Sequence, residues 1–108
     1  MQAKTPYEEE EENMFLVLTR YVKDMQEVDK LLPAHSAFLD GYCAQKKVIF
    51  SGRRNPRIGG AILFRAETED EVRAILAEDP FSVNGVTECE YYEIIPTKYD
   101  EDFAGFVI

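Results

Sequence analysis

The chain has 108 residues, of which 45% are hydrophobic, and a formal net charge of −9 at pH 7. This length and composition predict one globular domain with one core, rather than a disordered chain. The negative charge argues against nucleic acid and anionic membrane surfaces as partners, and the longest apolar run is too short to span a bilayer. No export-signal pattern opens the chain, and Cys43 and Cys89 are interpreted as reduced thiols, so we expect a cytoplasmic protein.

Residues 1–13 differ in composition from the rest of the chain, because they contain a run of five glutamates at positions 8–12. Adjacent carboxylates repel one another and resist burial, so this run predicts a solvated, acidic N-terminal extension. The apolar run that begins at Met14 then marks the start of a single folded domain over residues 14–108.

The first half of the domain predicts a strand, a long helix and a second strand. The strand is "FLVLTRY", and the helix is "DMQEVDKLLPAHSAFLDGYCAQK", in which Asp24 is placed to cap the first turn. We expect Pro33 to break or restart this helix, because proline lacks the backbone N–H that the helix needs. The second strand, "KVIFSG", ends at Gly52 and leads into the loop "RRNPRIGG".

The second half predicts the strand "AILFRA", the helix "TEDEVRAILAED" and the strand "VTECEYYEIIP". Thr68 and Glu71 have the spacing of a capping box, and we expect Pro80 to end the helix. Glu88 and Glu90 alternate with less polar residues, so one face of the last strand is expected to be wet. The apolar end, "DEDFAGFVI", is expected to dock either over a functional cleft or on a partner subunit.

The order β-α-β-β-α-β predicts an α+β fold, a ferredoxin-like sandwich with a four-stranded antiparallel sheet and its helices on one face. The chain offers no further segment to cover the other face, and a large exposed apolar face is unusual in a monomer. We therefore predict a homodimer in which two copies pack sheet to sheet about a two-fold axis.

The only histidine, His35, lies on the predicted first helix. Helical periodicity predicts an inward-facing stripe on this helix and a solvent-facing side opposite to it. The stripe consists of Ala34, Phe38, Gly41 and Tyr42, and the opposite side includes Ser36 and Asp40. His35 falls at the flank of the stripe, where an imidazole reaches both the core and a cleft.

On the second helix, Asp79 follows the inward-facing residues Val72, Ile75 and Leu76 on the same face. An apolar stripe and the negative end of a helix dipole both disfavour a carboxylate, and such conflicts are typical of functional sites. The structural alternative is that Asp79 caps the turn "PFSVNG", and the two roles can coexist. If Asp79 meets His35, the carboxylate would orient the imidazole for general acid–base catalysis.

The loop "GRRNPR" places Arg53, Arg54 and Arg57 close together in an otherwise acidic chain. Guanidinium groups bind carboxylates and phosphates, so the loop predicts a clamp for a small anionic ligand, with Ser51 facing the same cleft. Alternatively, the arginines pair with surface carboxylates in a solvated loop, and Ser51 satisfies a turn. One histidine and two separated cysteines give no metal-ligand spacing, so we expect neither a metal nor a cofactor.

The stretches "PAHSAFLDGYCAQKKVIFSG" and "EDPFSVNGV" resemble the YciI-like family, and the likeness covers about residues 14–97. The resemblance implies the fold of the dimeric α/β-barrel group and an active-site pair formed by His35 and Asp79. Members often carry Arg three residues before the histidine, where this chain has Leu32, and Pro where it has Arg53. These departures imply a changed ligand or a lost activity.

Two classes of function follow. The first is an enzyme of the lyase or isomerase type, in which the His35–Asp79 pair performs proton transfer or elimination on a small anionic or aromatic compound. The second is a non-catalytic dimeric module that binds a small ligand or a protein. Hydrogen bonding between the two side chains at the base of a pocket favours the enzyme, and a filled cleft with His35 facing bulk water favours the module.

Overall fold

The structure is a computed structural model in which residues 13–107 are described. The strands are β1 (Asn13–Tyr21), β2 (Val48–Arg53), β3 (Gly60–Ala66) and β4 (Thr87–Ile94). The helices are α1 (Met25–Ala44), α2 (Glu69–Leu76), the short α3 (Pro80–Val83) and a C-terminal 3-10 helix (Glu101–Phe106). The predicted acidic extension lies outside the described residues, except for Asn13, where β1 begins.

The four strands form one antiparallel sheet in the order β2-β3-β1-β4. β1 lies in the sheet interior, where Phe15 is opposite Phe64 of β3 and Val17 is opposite Ile62. The prediction of an α+β, ferredoxin-like fold is confirmed by this topology and by the helices that connect the strands.

The core lies between one face of the sheet and the helices. Phe15, Val17 and Phe64 project from the sheet and pack with Val72 and Leu76 of α2. All five side chains are at most 3% exposed. Burying apolar side chains of this size is the main favourable term in folding, and here it fixes both helices against the sheet.

α1 differs from its prediction in two respects. It is continuous from Met25 to Ala44 although Pro33 lies inside it, because packing on both sides of the proline outweighs one missing hydrogen bond. Its buried residues are Val28 and Leu39. Of the predicted stripe, Phe38 and Tyr42 pack against the core, whereas Ala34 and Gly41 are exposed. The larger apolar side chains therefore set the rotation of the helix, since they gain more from burial than alanine or glycine.

α2 begins as predicted, because Thr68 accepts a hydrogen bond from the backbone N–H of Glu71 at 3.2 Å. The predicted end of the helix was wrong. α2 ends at Leu76, and Pro80 opens the next helix, α3, as its first residue. Proline fits that position, since its missing N–H would have no partner within the helix there.

The sheet face away from the helices, which we call the open sheet face, carries an apolar set of side chains. It comprises Leu16, Leu18, Phe50, Leu63, Tyr92 and Ile94. Phe50 is 49% exposed and Tyr92 is 45% exposed. The predicted wet side of β4 is confirmed at Glu88 and Glu90, which are exposed and occupy one end of this same open sheet face, opposite Arg20 and Leu18.

The C-terminal segment docks on its own chain. Phe106 and Val107 line a small cavity with Met14 and Arg65 at the end of the sheet. This position is away from the residues around His35, so the first of the two docking sites that the sequence suggested was wrong. Within residues 13–107, no helix combines the length and hydropathy that crossing a membrane requires.

Candidate active site

His35 and Asp79 meet although 44 residues separate them. His35 projects from α1, and its Nδ1 lies 2.9 Å from Oδ1 and 2.8 Å from Oδ2 of Asp79. Asp79 immediately precedes α3 and is its N-cap, because its Oδ1 also accepts a hydrogen bond from the backbone N–H of Phe81 at 2.9 Å. The capping role and the contact with His35, posed as alternatives by the sequence, therefore coexist in one carboxylate.

Asp79 lies at the start of a helix, and not at the end of one as the sequence had predicted. The sequence placed it at the negative end of α2, but it stands three residues beyond that helix and at the start of the next. Its carboxylate is 4% exposed and has both an N–H donor and an imidazole as partners. A buried carboxylate is stabilised by such donors, so the site holds Asp79 without the predicted conflict.

Phe81 contacts both members of the pair. Its backbone N–H binds Asp79, and its ring stacks on the His35 imidazole with the centroids 4.0 Å apart and the planes 13° from parallel. Phe81 itself is 3% exposed and packs with Val28 and Val86 in a second buried cluster. The orientation of the His35 imidazole is consequently fixed by the Asp79 carboxylate on one side and by the buried Phe81 ring on another.

The contact through Nδ1 determines which imidazole nitrogen is free. An ionised carboxylate only accepts hydrogen bonds, so Nδ1 carries the proton in its contact with Asp79. Among the described residues, Nε2 has no hydrogen-bond partner, and the His35 side chain is 15% exposed. Nε2 is therefore the nitrogen available to a ligand.

His35 lines a cleft of about 290 Å³ between α1 and the β2–β3 end of the sheet, which we call the His35 cleft. One wall is the side of α1 that carries Leu32, Ser36, Asp40 and Cys43, and the other is Ser51, Gly52 and Arg53 of β2. The remaining lining residues are Thr19, Tyr21, Leu39, Gly60, Ile62 and Phe81. The volume is at the lower limit for drug-sized ligands, so the cleft fits a small compound.

The three arginines of the predicted clamp are in different places. Arg53 lines the His35 cleft. Arg54 donates from Nη1 to the backbone oxygen of Thr19 at 3.4 Å, and Arg57 pairs with Asp29 of α1 at 2.5 Å. Only Arg53 is therefore placed to meet a ligand in the cleft, and Arg57 has the surface pairing that was the alternative interpretation.

The β2–β3 loop is held against β1 by close backbone contacts. A Cβ atom on the buried Gly59 would lie 1.8 Å from the backbone oxygen of Thr19, so no other residue fits there without a shift. Thr19 Oγ1 accepts a hydrogen bond from the Gly60 N–H at 2.8 Å, and the Tyr21 N–H donates to the Ile58 oxygen. These contacts fix the end of β2, and with it the backbone that carries Arg53.

Ser51 lines the cleft as expected, but sequence reasoning missed three residues of the site. Phe81 is two residues after Asp79, a spacing at which an Asx side chain binds the backbone, and this could have indicated its role. Thr19 follows the apolar run of β1, and a single hydroxyl residue at that position gave no signal of a role in the site. Asp40 was assigned to the solvent side and is exposed, but this side of α1 also forms a wall of the cleft.

The two free cysteines lie in different environments. Cys43 is exposed and lines the His35 cleft, whereas Cys89 lies on β4 and packs against the core. Burial raises the pKa of the Cys89 thiol. Burial also raises the pKa of Tyr91, which packs beside it, to about 12, so neither group is a proton acceptor near neutral pH. Among residues 13–107, no three potential ligands are grouped in a way that would hold a metal ion.

The sequence pattern of the YCII-related domain matches residues 14–98. The chain belongs to the YCII-related domain family. This match confirms the resemblance that the two quoted stretches suggested, and it includes His35, Asp79 and both walls of the cleft. No curated protein sequence matches the chain.

Solved structures similar to this YCII-related domain share its fold. One is the 5-chloro-2-hydroxyhydroquinone dehydrochlorinase TftG from Burkholderia phenoliruptrix AC1100, in complex with 2,5-dihydroxybenzoquinone. It is 21% identical, with a TM-score of 0.64 over 82% of this chain and 97% of the other. A proposed antibiotic biosynthesis monooxygenase from Bacteroides thetaiotaomicron VPI-5482 is 14% identical, with a TM-score of 0.52 over 80% and 91% of the chains. At these identities the likeness establishes the fold alone.

Proposed function

We propose that this protein is a small-molecule enzyme that transfers a proton through Nε2 of His35, with Asp79 as the group that orients and stabilises the imidazole. The observation that carries the proposal is the bifurcated hydrogen bond from Nδ1 to the two oxygens of the buried carboxylate, which leaves Nε2 as the free nitrogen of a residue that lines the cleft. General acid–base catalysis needs a proton acceptor within hydrogen-bond reach of the substrate and held in one orientation. His35 suits this role, since it lines the cleft and since Asp79 and Phe81 hold its ring in one orientation.

The proton would move in two steps. Neutral His35 accepts a proton from the substrate at Nε2, and the imidazolium that forms lies 2.8 Å from the Asp79 carboxylate. The positive charge is stabilised there, because the two partners are largely buried and the opposite charges are in contact. The same nitrogen then returns the proton to another position or to a leaving group, which corresponds to an isomerase or a lyase.

The substrate is expected to be small and to carry an anionic group. Arg53 and Ser51 line the wall opposite α1, and a guanidinium there would bind a carboxylate or a phenolate. TftG binds 2,5-dihydroxybenzoquinone, a small hydroxylated ring of a size that the cleft fits, and this supports a small ring compound as a second candidate substrate. Ser51 is a second proposed binding residue. Arg54 and Arg57 are not part of the proposed binding site, because their side chains have protein partners.

Deuterium exchange tests the proposal on classes of compound rather than on one chosen substrate. Small carboxylates with acidic C–H bonds and small hydroxylated rings are incubated with the protein in D2O, and exchange is followed by NMR. We expect the wild type to accelerate exchange in at least one compound class, and His35→Gln to reduce that rate by about 10²–10⁴-fold, the usual contribution of a general base. Asp102→Asn, at an exposed position outside the cleft, is the control and should exchange at the wild-type rate.

The alternative is a non-catalytic module that binds a small ligand or a protein. It predicts that compounds bind in the His35 cleft while none of them exchanges faster than in buffer. That result, or equal exchange by wild type and His35→Gln, would contradict the enzyme.

We also propose that two copies pack through the open sheet face to form a homodimer. Its side chains Phe50, Tyr92 and Ile94 are 49%, 45% and 38% exposed, and burying them is favourable. Sedimentation at micromolar concentration should give twice the monomer mass, and Tyr92→Asp should reduce it to that of one chain. A stable monomer in the wild type would remove the packing argument.

A further inference from the structure

Apart from His35, the side chains with a formal charge in the His35 cleft are one acid and one base on opposite walls. Asp40 projects from α1, and Arg53 is the last residue of β2. In the ladder, Ser51 is opposite Ile62 and Arg53 is opposite Gly60. Ile62 is part of the core on the helix side of the sheet, so the side chain of Arg53 lies on that side too and faces α1.

Neither charge has a partner among residues 13–107. Arg54 donates to Thr19 and Arg57 pairs with Asp29, but Arg53 forms no ion pair or hydrogen bond through its side chain. Asp40 likewise has none, and the two are not paired with each other. Both are exposed. Two opposite charges that share a cleft without pairing are available to a ligand with complementary groups.

We propose that the His35 cleft binds a small zwitterion, with its anionic group on Arg53 and its cationic group on Asp40. The volume of about 290 Å³ is sufficient for a ligand of the size of an amino acid. A ligand of one sign would satisfy one wall and leave the charge on the other partly desolvated, which costs binding free energy. The proposal rests on the proposed function only for the reacting atom, which would lie beside His35 Nε2 between the walls.

Binding is tested with two sets of compounds that share a skeleton and differ in charge. The first set is alanine, propanoate and ethylamine, and the second is phenylalanine, 3-phenylpropanoate and 2-phenylethylamine. Affinities are measured from the NMR shifts of the backbone amides of Ser36, Ser51 and Gly60. We expect the zwitterion of at least one set to bind about tenfold more tightly than both of its singly charged counterparts, since each charged contact adds about that much.

Two charge-removing variants assign the contacts. Asp40→Asn should reduce the affinity for the zwitterion to that for the carboxylate, and Arg53→Gln should reduce it to that for the amine. Asp102→Asn and Lys98→Gln, exposed and outside the cleft, are the matched controls and should bind as the wild type does.

Two results would overturn the proposal. One is that neither zwitterion binds more tightly than its two singly charged counterparts. The other is that Asp40→Asn leaves the affinity for the zwitterion unchanged, because Asp40 would then make no contact with its cationic group. His35→Gln separates this proposal from the proposed function, since it should keep the preference for the zwitterion while it loses deuterium exchange.

Discussion

The His35–Asp79 pair and the arginine loop behave in opposite ways. His35 and Asp79 are 44 residues apart, yet Nδ1 of His35 lies within hydrogen-bond distance of both oxygens of a carboxylate that is 4% exposed. Arg53, Arg54 and Arg57 lie within five residues of one another, yet they point to the cleft, to the backbone of β1 and to α1. Closeness in sequence therefore did not bring the three arginines to one site, whereas the packing of helices brought His35 and Asp79 together.

The physical difference is the number of contacts that fix each side chain. His35 and Asp79 are attached to packed helices and are held by a hydrogen-bonded N–H and a stacked ring. The arginine side chains are long and exposed or half-buried, so each takes the partner that is within reach. Substitutions around the pair should therefore cost more stability than substitutions in the arginine loop.

Phe81→Ala should have the largest effect on the free energy of unfolding, a loss of about 3–5 kcal/mol in urea denaturation, because a buried ring is removed. It also removes the ring that stacks on His35. Phe81→Leu keeps the backbone donor and most of the side-chain volume, so it should lose less than half as much unfolding free energy as Phe81→Ala. A loss below about 1 kcal/mol for Phe81→Ala would show that the ring does not support the pair.

Asp79→Ala should cost about 2–3 kcal/mol, because it leaves the buried N–H of Phe81 without its side-chain partner and removes the N-cap of α3. Asp79→Asn should cost less, since asparagine is an equally good N-cap. Arg53→Ala, at the exposed end of β2, should change stability by no more than about 0.5 kcal/mol. Equal losses in Asp79→Ala and Arg53→Ala would contradict the comparison.

Gly59→Ala should destabilise the protein by about 1–3 kcal/mol and displace the end of β2, because its Cβ would clash with the backbone of Thr19. Gly41→Ala is the matched control. A Cβ there meets nothing within 4 Å, and the residue lies inside α1, so alanine should stabilise by up to about 1 kcal/mol. Thermal unfolding of both variants measures the difference, and a stabilising Gly59→Ala would show that the loop is not fixed to β1.

The smallest effect concerns cysteine chemistry and its pH dependence. Cys43 is exposed, whereas burial raises the pKa of Cys89, so iodoacetamide should modify Cys43 first. As the pH rises, modification of Cys89 should begin only above the pH at which an ordinary thiol reacts. Mass spectrometry of Cys43→Ser and Cys89→Ser compares the two rates. Faster modification of Cys89 at neutral pH would contradict the assigned environments.

Periodicity and turn signals predicted the fold, because the four strands, the two main helices and the Thr68 cap depend on local patterns. Rotation of α1 was not predictable in the same way. It depends on whether Leu39 or the smaller residues Ala34 and Gly41 face the sheet. The distance between α1 and the sheet decides this, and local patterns do not contain that distance. Asp40 is exposed as expected, but its place in the wall of the cleft was missed, because that depends on how α1 lies beside β2.

The sequence identified site residues that conflict with their local surroundings or match the family resemblance. It did not identify residues whose role depends on backbone contacts. Asp79 was found, but for the wrong reason, since Pro80 starts a helix rather than ending one. The roles of Phe81 and Thr19 depend on a backbone N–H and on the close approach of Gly59, which side-chain patterns do not report. The separation of the three arginines depends on partners that are distant in the chain.

The most direct test of the His35–Asp79 arrangement is the tautomer of the His35 imidazole, read from the ¹⁵N shifts of its two ring nitrogens in alkaline solution. Because Asp79 accepts a hydrogen bond from Nδ1, we predict that the proton is on Nδ1 and that Nε2 is unprotonated and free to accept one. A ring with the proton on Nε2 and a bare Nδ1 would contradict the account, since the nitrogen that faces the cleft would then have no lone pair for a substrate proton.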